Sequence, residues 1–157
     1  MSAGRSSRPP GLLPTSHPFL REFGEPFLRG LSHASHERAF AADDYLFREG
    51  GAADGFYLLL HGKVALEIET PERPRLTIQT LGPGEVLGWS WLLPSHRWHL
   101  DARAVKETRA IVIEAAALRR AFEAHPADGV RFLTALLPII GQRLTNTRIQ
   151  LLDIHRI

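Results

Sequence analysis

The chain has 157 residues, a length typical of one domain that buries a sizeable hydrophobic core without metals or disulfides. It contains no cysteine, which excludes a disulfide scaffold, thiolate zinc sites and cysteine nucleophiles. The formal net charge is only +2 and the arginines are scattered, so the composition provides no basic arm for nucleic acid. No apolar run has the length of a membrane span, and residues 1–15 lack the apolar core of a signal peptide. We therefore expect a cytoplasmic protein that does not contact a membrane.

The chain divides into a tail and one folded domain. Residues 1–16 are rich in Ser, Pro, Gly and Arg, which predicts a flexible N-terminal tail, and residues 17–157 are predicted to form a single domain. Residues 17–34 carry apolar side chains at helical spacing. Gly24 and Pro26 interrupt this stretch, so two short helices are expected in place of one long helix.

Short strands separated by turns dominate residues 35–114. Brief apolar or alternating runs are bounded by Gly, Asp and Pro, which favours an antiparallel sandwich or barrel. The predicted strands are His36–Phe40, Tyr45–Arg48, Phe56–Leu60, Val64–Ile68, Leu76–Leu81, Leu100–Val105 and Arg109–Ile113. The segment Gly82–His99 fits no strand pattern and contains all three tryptophans.

Two helices are predicted after the strands. Residues 115–125 form a short helix that ends before Pro126, and residues 128–155 form one long helix of roughly seven turns. The long helix has a first apolar stripe of Leu133, Leu137, Ile140, Leu144, Leu151 and Ile154, and a second stripe of Phe132, Leu136 and Ile139. One stripe can pack on the barrel while the other meets a partner helix, so we expect a homodimer through residues 128–155.

Five short motifs follow one another through the strand region. They are Phe47–Gly50, Asp54–Leu58, Gly62–Val64, Leu81–Glu85 and Asp101–Ala104. In this order they resemble the cyclic nucleotide-binding domain family, of the catabolite-activator sensor type, over nearly the whole chain. The resemblance implies a mainly β fold with flanking helices: an antiparallel β-barrel or jelly roll over residues 35–114, N-terminal helices and a long C-terminal helix.

The phosphate-binding cassette is where this sequence departs from the family it resembles. In the family, a Phe-Gly-Glu-Leu-Ala-Leu run precedes an Arg-Ala-Ala run. The Glu accepts a hydrogen bond from the ribose 2′-hydroxyl, and the Arg pairs with the cyclic phosphate. Anchoring the alignment on Gly88 places Trp89 at the Glu position and Trp98, nine residues later, at the Arg position. An indole has one N–H donor and no acceptor, so neither tryptophan can replace these contacts.

The candidate ligand-binding residues are those of this cassette: Gly88, Trp89, Ser90, Trp91, Ser95, Arg97, Trp98 and His99. Arg97 and His99 flank the Arg position and offer another path to a phosphate, although adjacent residues of an extended segment point to opposite sides. No cofactor is implied beyond a cyclic nucleotide or another small ligand, and tight binding of cAMP is not expected. His96, His99 and Asp101 form a weaker pattern for a metal site, with no further ligand at a clear spacing.

These features favour a regulatory or ligand-sensing module that has no chemistry of its own and acts on a partner protein. The sequence has no Gly-x-Ser-x-Gly elbow and no acid–base constellation, so we do not expect an enzyme. Only residues 153–157 complete and follow the dimerisation stripe, so we expect no helix-turn-helix and no DNA binding. Two alternatives stay open: a cAMP- or cGMP-binding regulator that uses Arg97 or His99 for the phosphate, and a structural dimer with a vestigial pocket.

Overall fold

The structure is a computed structural model that describes residues 17–154. The predicted N-terminal tail, residues 1–16, therefore lies outside the described residues. In chain order the helices and strands are α1 (Glu25–Ser32), β1 (Ser35–Phe40), β2 (Tyr45–Phe47), β3 (Gly55–His61), β4 (Val64–Ile68), β5 (Leu76–Leu81), β6 (Val86–Leu87), β7 (Asp101–Ala104), β8 (Thr108–Glu114), α2 (Ala115–Ala124) and α3 (Pro126–Ile154). Single 3₁₀ turns lie at Pro18–Leu20 and Ser90–Leu92. Among these described elements, none of the helices combines the length and the hydropathy of a membrane span.

The strands form two antiparallel sheets of four strands each. One sheet has the order β1-β8-β3-β6 and the other has the order β2-β7-β4-β5. This arrangement is a jelly-roll sandwich with flanking helices, which confirms the predicted fold class. The predicted barrel is not closed, because no strand pair within residues 17–154 joins the two sheets. The edge strands β2 and β6 have three and two residues, too few to continue the pairing across the gap.

Strand β6 lies inside Gly82–His99, where the sequence shows no strand pattern. Val86 and Leu87 are buried and pair with Leu58 and Tyr57 of β3. Two residues are too few for an alternation of apolar and polar side chains to become visible in the sequence. This short pairing holds the start of the cassette against the first sheet.

An aromatic cluster joins the N-terminal turn, the sandwich and α3. The ring centroids of Phe56 in β3 and Phe132 in α3 are 5.1 Å apart. Phe19 lies 5.4 Å from Phe56 and 5.1 Å from Phe132. Phe56 and Tyr57, the aromatic pair of the second sequence motif, are both buried in β3 as the resemblance implies. These ring contacts hold α3 against one side of the sandwich.

The two apolar stripes of α3 have different surroundings. The helix begins at Pro126, two residues before the predicted start. A proline is tolerated at the first helical position, because the N–H that it lacks would have no partner within the helix. In the second stripe, Phe132 and Leu136 are each 1% exposed. The first stripe includes Leu137, which is 66% exposed, and Leu144, which is 56% exposed. The second stripe therefore packs on the sandwich, while Leu133, Leu137, Leu144 and Leu151 of the first stripe are exposed in the single chain.

Candidate functional site

A cavity of about 310 Å³ lies between the sandwich and α3. Its volume falls at the lower end of the range for small-molecule sites, roughly 300–1,000 Å³. The strands contribute Phe47, Leu66, Ile78 and Leu87; the segment after β6 contributes Gly88, Trp89, Ser90, Trp98, His99 and Leu100; and α3 contributes Ile140, Arg143, Leu144 and Thr147. Apolar side chains make up most of this lining, so the cavity suits a ligand with a large apolar surface.

Trp89 lies at the start of the 3₁₀ turn Ser90–Leu92, and its half-buried side chain lines the cavity. The guanidinium carbon of Arg143 lies 4.6 Å from the centroid of its ring. A cation in this position over an indole face is attracted by the ring quadrupole. Trp89, which the resemblance places at the family's Glu position, therefore presents an aromatic ring to a cation and offers no acceptor to a sugar hydroxyl.

Trp98 is stacked on Phe47 with a centroid distance of 3.8 Å and an interplanar angle of 13°. Its side chain is 4% exposed, and its backbone N–H donates to the Gly51 carbonyl at 2.9 Å. Gly88 lies directly against it: a Cβ on Gly88 would stand 3.1 Å from Trp98 Cη2. Gly88 also has a φ of +89°, so both the close approach and the backbone conformation require glycine there. The packing holds the Trp98 ring in one position at the cavity wall.

The other predicted site residues lie in different places. Ser90 is buried and His99 is exposed, and both line the cavity together with Gly88, Trp89 and Trp98. Trp91 is 1% exposed and belongs to the core, where its Nε1–H donates to the Gly88 carbonyl at 2.8 Å.

Ser95 and Arg97 are exposed and are not among the residues that line the cavity. The Arg97 guanidinium donates to the Gly50 carbonyl at 2.9 Å, so it is directed to the neighbouring loop. The Ser95 hydroxyl lies 3.3 Å from His99 Nε2. Of the two side chains predicted to offer another path to a phosphate, His99 therefore reaches the cavity edge and Arg97 does not line the cavity.

Arg143 of α3 is a cavity residue that the sequence analysis missed. It is 7% exposed, and its Nη2 donates to the Val86 carbonyl. Its Nε is buried without a hydrogen-bond partner among the described residues. A signal was available, because Arg143 continues the second stripe of Phe132, Leu136 and Ile139 in helical steps of four, three and four. A charged side chain on a helix stripe that packs into the protein is unusual, and it indicates a candidate functional residue.

The charge of the cavity lining is positive. Burial lowers the pKa of Arg143 to about 10, and the nearby charge of Glu85 opposes this shift, so the guanidinium stays protonated at neutral pH. None of the described residues that line the cavity is Asp or Glu. Ser90 and Thr147 supply hydroxyl groups and His99 an imidazole. The arrangement can therefore hold an apolar ring beside a single permanent cation.

A comparison with known families identifies the class of this domain. The model of the cyclic nucleotide-binding domain matches residues 37–125. The chain therefore belongs to the cyclic nucleotide-binding domain family. The cyclic nucleotide-binding domain family is regulatory and not enzymatic.

Individual relatives agree with this assignment. The chain is 26% identical over 122 residues to the HTH-type transcriptional regulator Cmr of Mycobacterium tuberculosis (strain CDC 1551 / Oshkosh), an alignment that covers 78% of this chain and 48% of that protein. The chain thus spans about half the length of this curated relative. A crystal structure of a proposed cyclic nucleotide-binding protein from Geobacter metallireducens GS-15 is similar with a TM-score of 0.71 and 27% identity, and covers 82% of this chain and 92% of that one.

The c-di-GMP responsive global regulator CLP of Xanthomonas campestris is similar in fold alone. Its TM-score is 0.73 at 20% identity, and the match covers 85% of this chain and 66% of that one.

Proposed function

We propose that the chain is a non-enzymatic, ligand-sensing regulatory module whose cavity takes a flat aromatic ligand in place of cAMP or cGMP held in the family's usual way. The observation that carries this proposal is the cavity of about 310 Å³ beside Trp89 and Trp98. The two indoles, which the resemblance places at the positions of the family's Glu and Arg, leave space between the sandwich and α3. An aromatic lining of this kind offers stacking partners and few polar contacts.

The size of the cavity also bears on the alternative of a vestigial pocket. A pocket filled by its own indoles would leave no space of this volume, because protein interiors pack with few voids larger than a water molecule. The alternative in which Arg97 holds a cyclic phosphate has less support, since the guanidinium of Arg97 is engaged with the Gly50 carbonyl. The related regulator CLP is described as responsive to c-di-GMP, so the fold is compatible with ligands other than cyclic mononucleotides.

The signal would leave the domain through α3, because this helix both closes the cavity and presents the exposed first stripe. Ile140, Leu144 and Thr147 contact the cavity. Leu144 is 56% exposed, so one side chain touches both the ligand space and the surface. We propose that the exposed stripe pairs with a second copy of the chain and that the ligand changes the position of α3 in this dimer, for a partner protein to read.

A ligand panel tests the proposal. Thermal unfolding of the full chain is followed with cAMP, cGMP and a set of bicyclic aromatic compounds, and quenching of tryptophan fluorescence is followed in parallel. A ligand at about 100 times its Kd adds ~2.7 kcal/mol to the free energy of unfolding. Stabilisation by an aromatic compound but by neither nucleotide is expected. If no compound in the panel stabilises the chain, the alternative of a structural dimer with a vestigial pocket is favoured. If cAMP stabilises the chain at micromolar concentration, the ordinary cyclic nucleotide binding of the family is favoured.

A further inference from the structure

The guanidinium of Arg143 is a buried cation that lacks a buried anion. One nitrogen donates to the Val86 carbonyl, and one face lies over Trp89, with the guanidinium carbon 4.6 Å from the ring centroid. The Nε has no hydrogen-bond partner among the described residues. No carboxylate of residues 17–154 forms an ion pair with Arg143, although Glu85 is close enough to raise its pKa.

Such an arrangement is unfavourable without a ligand. A buried donor with no acceptor and a buried charge with no counter-charge each lower the stability of the folded state. Arginine carries a planar fork of N–H donors that matches the two oxygens of a carboxylate. Because Arg143 lines the cavity, an anionic group that enters the cavity can supply the counter-charge that the guanidinium lacks.

The rest of the lining restricts the chemistry of that anion. Arg143 is the one permanent cation among the described lining residues, so the site suits one negative charge better than the two of a phosphate monoester. The described lining also holds no carboxylate or carboxamide side chain to accept hydrogen bonds from sugar hydroxyls. Trp89, Trp98 and Phe47 instead provide aromatic surface beside the cation.

We propose that the cavity selects aromatic carboxylates, with the carboxylate held by the Arg143 guanidinium and the ring against the two indoles. This inference rests on the proposed ligand-sensing function and specifies the class of ligand. Arg143 of α3 thereby takes the role of anion receptor. The resemblance places Trp98 at the position of the family's cassette arginine, so that position offers no charge. A ligand that pairs with Arg143 is in contact with the helix that carries the exposed stripe.

Two matched ligands test the role of the charge. Isothermal titration of the full chain uses 2-naphthoate and the neutral 2-naphthamide, which share a ring and differ in charge. We expect 2-naphthoate to bind with a Kd below about 100 µM and 2-naphthamide to bind at least about tenfold more weakly. Equal affinities would overturn the carboxylate inference while the aromatic ligand of the proposed function stands. Tighter binding of 2-naphthyl phosphate than of 2-naphthoate would also overturn it, in favour of a dianion. Failure of all three ligands to bind would overturn the inference as well.

Two matched variants test the role of Arg143. Arg143→Met removes the charge and keeps the length of the side chain. Arg119→Met is the control, because Arg119 also donates an Nη2 hydrogen bond to a backbone carbonyl, that of Trp91 at 2.9 Å, but does not line the cavity. Arg143→Met is expected to lose about tenfold to a hundredfold in affinity for 2-naphthoate and little for 2-naphthamide. An unchanged preference for the carboxylate in this variant would exclude Arg143 as the receptor.

Stability without ligand separates a receptor from a structural arginine. If Arg143 is kept for a ligand, Arg143→Met raises the midpoint of urea unfolding, because a buried unpaired charge is replaced by an apolar side chain. Arg119→Met is expected to lower that midpoint. A lower midpoint for Arg143→Met together with unchanged ligand affinity would show that Arg143 serves only to hold β6, and would overturn the inference.

Discussion

Trp98 and Phe47 lie face to face, with their ring centroids 3.8 Å apart and their planes 13° from parallel. The pair connects the segment before β7 with the end of β2, and Tyr57 of β3 meets the Trp98 ring from the side at 6.3 Å. Trp98, which the resemblance places at the position of the family's phosphate-binding arginine, is thus part of the aromatic wall of the cavity. A cyclic phosphate brought to this wall would meet carbon atoms.

Cyclic nucleotides should therefore bind weakly to this domain. The family's phosphate and ribose contacts are each worth ~1.5–3 kcal/mol, so the loss of both is expected to cost ~3–6 kcal/mol. This loss corresponds to roughly two to four decades in Kd. Titration calorimetry with cAMP and cGMP is expected to give no Kd below about 1 µM. A sub-micromolar value for the wild-type chain would contradict the prediction.

The converse substitution should restore part of the affinity. The double variant Trp89→Glu, Trp98→Arg supplies the carboxylate and the cation that the family uses, and it is expected to bind cAMP measurably more tightly than the wild-type chain. The double variant Trp89→Leu, Trp98→Leu is the control, because it opens the same space without polar groups and should gain nothing. An equal gain in both variants would show that space alone limits binding.

Removal of one partner of the ion pair between Glu67 and Arg103 should lower the stability strongly. Arg103 donates to both carboxylate oxygens of Glu67, at 3.1 Å from Nε and 3.0 Å from Nη2, and the Glu67 side chain is only 3% exposed. Arg103→Met leaves this carboxylate buried and unpaired, so a loss of ~3–5 kcal/mol in the free energy of unfolding is expected. Asp43 also pairs with Arg103 but is 79% exposed, so Asp43→Asn should cost no more than ~1 kcal/mol.

Urea unfolding of these two variants and of the double variant Glu67→Met, Arg103→Met provides the measurement. The double variant is expected to be more stable than Arg103→Met alone, because it removes the unpaired charge together with its partner. Equal losses for Asp43→Asn and Arg103→Met would refute the assignment of the stabilisation to the buried pair.

The stability of the domain should fall in mild acid because of His17. Burial lowers the pKa of this imidazole below its ordinary value of 6.5; its Nδ1 accepts from the Phe19 N–H and its Nε2 lies 3.2 Å from the Leu59 carbonyl. The unfolded chain therefore takes up a proton at a higher pH than the folded chain. The contribution of neutral His17 is present above pH 6.5 and is lost as the pH falls through its lowered folded pKa.

Chemical unfolding between pH 5 and pH 8 tests this effect, with His17→Asn as the variant. The variant is expected to be less stable than the wild-type chain at pH 8 and to show a flatter dependence on pH. An unchanged slope in His17→Asn would assign the pH dependence to other groups.

The full chain is expected to be a dimer through the first stripe of α3. Leu137, Leu144 and Leu151 are 66%, 56% and 39% exposed in the single chain, and a row of exposed leucines at this spacing is typical of a helix that pairs with another helix. The triple variant that replaces these three residues by Asp is expected to be monomeric at tens of micromolar, as measured by light scattering. Gln142→Asp is the control, because Gln142 lies on the opposite side of the helix. A monomeric wild-type chain at the same concentration would rule out the dimer.

The sequence by itself determined the local elements and the family. Alternation and turn residues are properties of neighbouring positions, so Val64–Ile68 and Leu76–Leu81 were predictable to the residue. The same reasoning separated the two stripes of α3, since side chains three and four positions apart share a helix face. This reasoning did not predict strand β6, because two residues are too few to show an alternation of apolar and polar side chains.

Only the tertiary structure decided how the cavity is built. Arg143 and Trp89 are 54 positions apart in the chain, and no local pattern relates them until α3 packs across the sandwich. The roles of Arg97 and Trp98 were separated in the same way: one side chain bonds the neighbouring loop and the other joins the cavity wall. Adjacent residues of an extended segment are neighbours in the sequence, but their side chains point to opposite sides. The packing of Phe47 and Gly88 around Trp98 therefore decided that Trp98, and not Arg97, faces the ligand space.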